Sequence, residues 1–418
     1  LSDLLNIGRT GLNVSKKALE TTGHNIANVN TEGYSRQRVN QQTNTPVNKG
    51  GIIHGTGANI KDVTRVHDPF IEKRLNSNIS ESEFFDNRSK ELVLVENVFN
   101  EIDNDGLNKV LNKFFNSFRE LANQPENETI RSLVRDNAEL VVNDFHRISS
   151  TLDEISRGID KKLEGEVEDI NAILRNVASL NRKVAALEAS GEETGDLRDQ
   201  RDTAIRELSK SFKVHTYMDE KNSYVVSAQG VGTLVAGAEV QEIAAGPTTK
   251  SESTTGMDGT VELYFKSRPT VPLTSKFKGG VLTALAKVRN EDIRRVRDEV
   301  DRVAYEFSNA VNSVHNRGHV NRQVGVDAAG NALPFDAKGA VTGIDFFARP
   351  QMIEGAAKNL SLSQAIRDDL SNIVTGLEPN SPGDNRIAIA ISKIQHERIM
   401  GEGTATLEES YLQTIGNV

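Results

Sequence analysis

The sequence predicts a mainly α-helical chain with an inserted β-rich domain, and three patterns carry that reading. From Ile130 to Leu187 apolar residues recur every three or four positions with charges between them, the spacing of one helix face or of a coiled-coil seam. A second seam runs from Leu282 through Leu285, Val288, Ile293, Val296, Val300, Val303, Phe307 and Val311 to Val314. Between them the period changes. Val214, Tyr217, Tyr224-Val225-Val226, Thr233-Leu234-Val235, Val261, Leu263 and Phe265 fall in short alternating runs punctuated by Gly230, Gly232, Gly237 and Gly246-Pro247, which reads as strands and turns. A helix of about 60 residues is about 90 Å long at its usual rise. The two seams therefore predict a long antiparallel coiled-coil-like helical rod domain, with Gly158 and Gly165 as places where the first helix bends or is interrupted. The predicted organisation is an N-terminal segment 1–40, a first rod part 41–213, a small β domain 214–274 and a second rod part 275–418. The last includes a Gly-, Ala- and Asp-rich loop region, 317–357.

An N-terminal amphipathic helix is predicted from about Ser2 to Thr22. Leu1, Leu4, Leu5, Leu12 and Leu19 share a broad face, with Gly8, Gly11, Ser15 and Ala18 among them. Glycine costs a helix roughly 1 kcal/mol against alanine, so small residues inside an apolar stripe point to a second backbone approaching there. Leu4, Leu5, Gly8, Gly11, Leu12, Ala18 and Leu19 are thus candidate assembly-interface residues. The exit from this helix is Asn25 to Gln37, where asparagines compete with the helical backbone for hydrogen bonds and Gly33 can take a positive φ. Read from these residues alone, an ordinary helix stop accounts for it equally well.

Ser35 to Val66 reads as an extended linker with short strands at Ile52-Ile53, Ile60 and Val63. A helix follows from Asp68, with Pro69 in the first turn where its missing N–H costs nothing. Glu101 to Gly106 imitates the start of an EF-hand loop, but the twelfth position is Asn112 rather than a bidentate Glu, so a polar turn is expected there. The next helix carries Leu111, Phe114, Phe115, Phe118 and Leu121. Beyond a break at Ser190 to Gly195, Asp196 to Leu208 reads as a helix whose alternating charges are solvated ion pairs rather than catalytic carboxylates. Thr248 to Gly259 is expected to be a mobile loop. Gly230-Val231-Gly232 opens no helix and so makes no phosphate cradle. His315 with Glu306 has no nucleophile or oxyanion donor to serve, and a packing histidine is the better reading. Gly383-Asp384-Asn385 fits a helix N-cap.

Composition excludes more than it selects. Hydrophobic residues make up 37% and aromatics 5%, with no Trp, which suits aliphatic helix seams better than a large enzyme core. A net charge of −9 gives no electrostatic support for nucleic-acid binding. With no cysteine there are neither disulfides nor thiolate metal sites, and His54 and His67 lack nearby ligand partners. No catalytic residue, cofactor or metal site is predicted. There is no apolar run of about 18 residues and no cleavable signal, so no membrane insertion is expected; by itself that composition reads as cytoplasmic.

Ala18-Leu19, Asn25-Ile26-Ala27-Asn28, Thr31, Gly33 and Tyr34 resemble the N-terminal signature of flagellar axial proteins, the family of rod, hook and hook-associated subunits. The continuation Ser35-Arg36-Gln37 is similar to its hook-associated members. So are Gly106-Leu107 to Arg131, Asp196-Leu197-Arg198-Asp199-Gln200-Arg201-Asp202, the Asn312, His315, Gly318 spacing with Phe346-Phe347, and Gly383-Asp384-Asn385. In the family Asp-Leu-x-Asp-Gln-Arg-Asp is typical, with Arg198 at the variable position. The resemblance implies a structural adaptor between hook and filament, extracellular in the flagellum and exported by the flagellar type III secretion apparatus without a cleaved signal. The implied partners are a ring of like subunits, the hook protein, a filament-side hook-associated protein and an export chaperone acting through a C-terminal segment. It also implies a further C-terminal helix pairing with residues 2–22. The chain starts at Leu1 rather than Met and stops soon after Tyr411, Leu412 and Ile415 begin a new seam, so it reads as trimmed, with its N-terminal leucine face orphaned. Two alternatives compete. A hook or distal-rod subunit would have a β-dominated middle, and a wall hydrolase on an axial-type N-terminus would need convergent acids or a nucleophile, which are not identifiable.

Overall fold

The computed structural model describes residues 2–49, 51–99, 106–219, 223–247, 261–320, 342–379, 381–401 and 403–416. In chain order the elements are α1 (Ser2–Ala27), β1 (Gln37–Thr43), β2 (Val47–Lys49), β3 (Ile52–His54), β4 (Ala58–Arg65), α2 (Pro69–Val98), α3 (Leu107–Asn123), α4 (Glu128–Ala189) and α5 (Gly195–Ser211). Six short strands follow: β5 (Val214–Met218), β6 (Tyr224–Ala228), β7 (Gly232–Ala236), β8 (Glu239–Val240), β9 (Ile243–Pro247) and β10 (Val261–Phe265). Then come α6 (Gly280–Lys287), α7 (Ile293–His315), α8 (Ala356–Asn359), α9 (Gln364–Asp368), α10 (Arg386–Ile394) and α11 (Leu407–Gly416). The fold is mainly α with small sheets. The chain divides into two compact units, Leu1–Arg88 with Lys161–Ala286, and Ser89–Asp160 with Lys287–Val418.

In the first unit, β1 and β4 pair antiparallel from Gln37↔Arg65 to Thr43↔Ala58, and β2 with β3 extends the ribbon to its tip. The stretch read as a linker is therefore a β-hairpin. α1 packs on it, with Val14 and Thr21 buried, and Gly57, just before the returning strand, meets α1 so closely that a Cβ would overlap the Thr10 hydroxyl. The helix also continues through Gly23 to Ala27, five residues past Thr22. β5 to β8 form a four-stranded antiparallel meander, and β9 pairs with β10. Asn171 of α4 anchors that second pair: its amide donates to Ile243 O at 2.8 Å and accepts from Ile243 N at 2.9 Å.

The second unit is built on phenylalanine. Phe114 and Phe118 of α3 lie 5.2 Å apart by ring centroid, Phe114 stands 5.5 Å from Phe307 of α7, and Phe346 and Phe347 close the cluster at 5.0 Å from each other. All five rings are fully buried, each contributing about 1.5–3 kcal/mol by the area removed from water. Arg297 pairs with Asp153 at 2.7 Å and Arg289 with Asp160 at 2.8 Å, so α4 here and the chain from 289 to 297 run in opposite directions. α4 is helical through Gly158 and Gly165. The second seam, by contrast, is interrupted by one π turn at Val288–Asp292. The Glu101 to Asp105 part of the EF-hand-like loop and the expected mobile loop at 248–259 lie outside the described residues.

Candidate functional site

The last turn of α1 and the turn after it fold onto α5. Asn25 Oδ1 accepts from Gln37 N and from the Tyr34 hydroxyl, both at 2.8 Å, while its Nδ2 donates to Gln37 O at 2.9 Å. The Tyr34 oxygen in turn stands 3.0 Å from His24 Nδ1. Asn28 donates to His24 O and accepts from the Thr31 hydroxyl. Gly33 has φ +80°, and a Cβ there would overlap the Thr203 hydroxyl of α5; both the backbone conformation and the space call for glycine.

Three carboxylates one helical turn apart receive this turn. Asp196 accepts from Gln37 Nε2 at 2.7 Å, and Asp199 accepts from Ser35 N at 2.9 Å. Arg65, at the end of the ribbon, donates to Asp199 at 2.6 Å and to Asp202 at 2.7 Å. Burial works against the Arg65 charge, yet the two carboxylates hold its pKa above the usual arginine value. Burial, reinforced by the Asp196 and Asp199 charges, likewise raises the Tyr34 pKa. Asp199, expected to be solvated, is instead only 5% exposed, whereas Asp196 stays exposed at the rim of this clasp. Arg198, paired with Glu188, and Lys210, paired with Glu207, form surface ion pairs.

The other face of α1 is bare. Leu4, Leu5, Leu12 and Leu19 are each at least 70% exposed, Ala18 is half-buried, and Cβ atoms built on Gly8 and Gly11 would meet nothing within 4 Å. Of the motif residues, Asn25, Asn28, Gly33, Tyr34, Ser35 and Gln37 are half-buried in the clasp, whereas Ile26, Ala27, Thr31 and Arg36 are exposed. Arg36 joins through its backbone, accepting from Val66 N at 2.8 Å. The sequence reading missed Arg65, Asp199 and Thr203 as partners of this motif. The available signal was the 196, 199, 202 spacing, which puts three acids on one helix face.

The second unit repeats the device. Asn312 holds Phe347 by both amide atoms, at 3.0 and 2.8 Å. His315 is fully buried; Nδ1 donates to Ile344 O at 2.7 Å and Nε2 accepts from Val374 N at 2.9 Å. Burial pushes its pKa down to about 4. A Cβ on Gly318 would run into Val374, Gly376 and Ile387. Arg131 donates to the carbonyls of Pro125, Ser371 and Ile373, and burial lowers its pKa. Asp384 accepts from Leu377 N, Glu378 N and Arg386; chiefly through Arg386, its pKa lies well below the usual carboxylate range. Every one of these groups bonds backbone or a structural partner. Among the described residues no three His, Asp or Glu side chains converge on a metal-sized site, and no helix is long and apolar enough to cross a membrane.

The body is helical with a clasped N-terminal arm whose leucine face is exposed, and comparison with known proteins gives the class. Residues 92–328 match the flagellar hook-associated protein FlgK helical domain, and residues 5–34 match the flagella basal body rod protein family. The chain is 30% identical over 412 residues to flagellar hook-associated protein 1 of Bacillus subtilis, covering 89% of the chain and 80% of that relative. It is 28% identical over 335 residues to the Salmonella typhimurium protein of the same name and 27% over 357 residues to that of Escherichia coli, spanning 58% and 60% of their lengths. The fold resembles the flagellar hook junction protein FlgK from Burkholderia pseudomallei, with a TM-score of 0.64 at 15% identity over 82% of this chain and 94% of that one. The chain belongs to the FlgK family of flagellar hook-associated proteins, which are structural components rather than enzymes.

Proposed function

We propose that this chain joins the flagellar hook to the filament, as a ring of like subunits with the hook protein on one side and a filament-side hook-associated protein on the other. The observation that carries this reading is the unpaired leucine face of α1, Leu4, Leu5, Leu12 and Leu19 with Gly8 and Gly11 between them, on an arm whose other side is clasped to the body. An apolar stripe of this kind is stabilised by a second helix, and folding of such an arm is coupled to incorporation. On the same reading the chain is exported by the flagellar type III apparatus, attended by a chaperone that recognises its C-terminal region. The α4 and α7 seams act as a coiled-coil-like rod, and residues 214–274 project outward as a separate β domain between rod parts 41–213 and 275–418, with 1–40 as the core-forming segment.

The match of residues 5–34 to the rod family is shared ground with the hook or distal-rod alternative. The helical match over 92–328 favours the junction over it. Immunogold electron microscopy tests the choice: label confined to the distal end of the hook supports the junction role, and label along the hook or rod removes it. Leu5→Asp with Leu12→Asp in the full-length protein should abolish incorporation while leaving the middle folded; normal incorporation of that variant contradicts assembly through this face.

A further inference from the structure

The first half of α2 is turned inside out. Between residues 69 and 88 its buried side chains are Asn76 and Ser80, whereas Phe70, Ile71, Leu75 and Phe85 are 74, 62, 41 and 58% exposed. With Asn78 and Ser82 between them, these residues follow spacings of three and four and form one continuous outer stripe. A water-facing apolar stripe of this kind marks a contact surface. Arg74 is exposed within the stripe and makes neither an ion pair nor a hydrogen bond among the described residues.

The start of α4 carries a counterpart of opposite charge. Leu133 and Leu140 share a face and are 41 and 47% exposed. The exposed charges around them are acidic: Glu128, Asp136 and Glu139. Asp136 pairs with its neighbour Arg135 at 3.0 Å, but Glu128 and Glu139 have no partner among the described residues.

We propose that the α2 stripe of one copy docks on the α4 face of a second copy of this chain. The proposal rests on the reading of the chain as a ring-forming junction subunit. Both surfaces present apolar side chains at the spacings by which two helices interlock, and the Arg74 guanidinium meets the Glu139 carboxylate beside that contact. The charges also decide which surface faces which. Two α2 stripes would set Arg74 against Arg74, and two α4 faces Glu139 against Glu139, whereas α2 against α4 joins opposite signs. A single self-complementary patch closes a pair of subunits and stops there. A ring needs two different patches on each copy, one fitting the other, and α2 and α4 supply them.

The test uses the full-length protein carrying a photo-crosslinking amino acid in place of Leu75, irradiated in isolated hook–filament particles. The expected product joins this position to residues 128–147 of a second copy. In parallel Arg74→Glu, which breaks no internal contact, should reduce incorporation roughly tenfold or more through like-charge repulsion without altering thermal unfolding. Arg74→Lys should retain incorporation, and Arg74→Glu combined with Glu139→Lys should recover it. A crosslink to another part of the chain or to a different flagellar protein, no crosslink in particles that contain the chain, or full incorporation of Arg74→Glu overturns the α2–α4 contact while leaving the junction role standing. Absence of the chain from the particles overturns the junction role and this contact with it.

Discussion

Asn25 and Gln37 are joined as two neighbouring strand residues would be, the side-chain amide of one standing in for a peptide group against the backbone of the other. The same pairing recurs at Asn171 with Ile243 and at Asn312 with Phe347. In each case a helix fixes an extended segment that has no strand partner of its own on that side. Only a side chain with donor and acceptor on one planar group can do this.

Asn25→Asp keeps the shape but loses the donation to Gln37 O and sets a carboxylate against that carbonyl. The expected cost is local, about 1–3 kcal/mol, and should appear as at least roughly tenfold faster hydrogen exchange at the Gln37 amide with little change in global unfolding.

Gly33→Ala should open the same clasp by two routes, the positive φ and the overlap with Thr203. The double variant Gly33→Ala with Thr203→Ala removes the overlap and keeps the backbone strain, of about 1–2 kcal/mol. Its stability should lie between those of the wild type and the single variant.

His315 ties stability to pH. Its folded pKa of about 4 lies below the ordinary value near 6.5, so below pH 6.5 the unfolded chain binds the proton more readily. Stability is full above about pH 6.5 and is lost as pH falls towards 4, by about 2 kcal/mol between pH 7 and 5. The protection factor of the Val374 amide, which His315 accepts from, should fall accordingly; in His315→Ala, destabilised at both pH values, that drop should shrink.

Arg131 is an unusual core residue, a buried guanidinium answered by carbonyls rather than by a carboxylate. Arg131→Ala leaves those carbonyls short of donors and should cost about 3 kcal/mol. Arg131→Lys cannot reproduce the fork and should recover only part of that, both read from urea unfolding.

The parts legible in the sequence were those whose partners share their periodicity. The apolar seam of α4, the Phe114, Phe115, Phe118 face of α3 and the change of period at Val214 all announce themselves within a short window. The ribbon did not, because β1 reads Gln-Arg-Val-Asn-Gln-Gln-Thr: with α1 covering one side only, a single valine suffices. The clasp stayed hidden for a different reason. Asp199 looks like a solvated charge until Arg65 and Ser35, 134 and 164 residues away, are brought to it. Local spacing carries no information about such partners, and the asparagine pairings share that blindness.

The junction role itself is tested most directly by deleting the full-length gene, viewing the cells by electron microscopy and assaying flagellin in the medium. Intact hooks without filaments, with flagellin lost to the medium, are the predicted result. Normal filaments, or missing hooks, would contradict it.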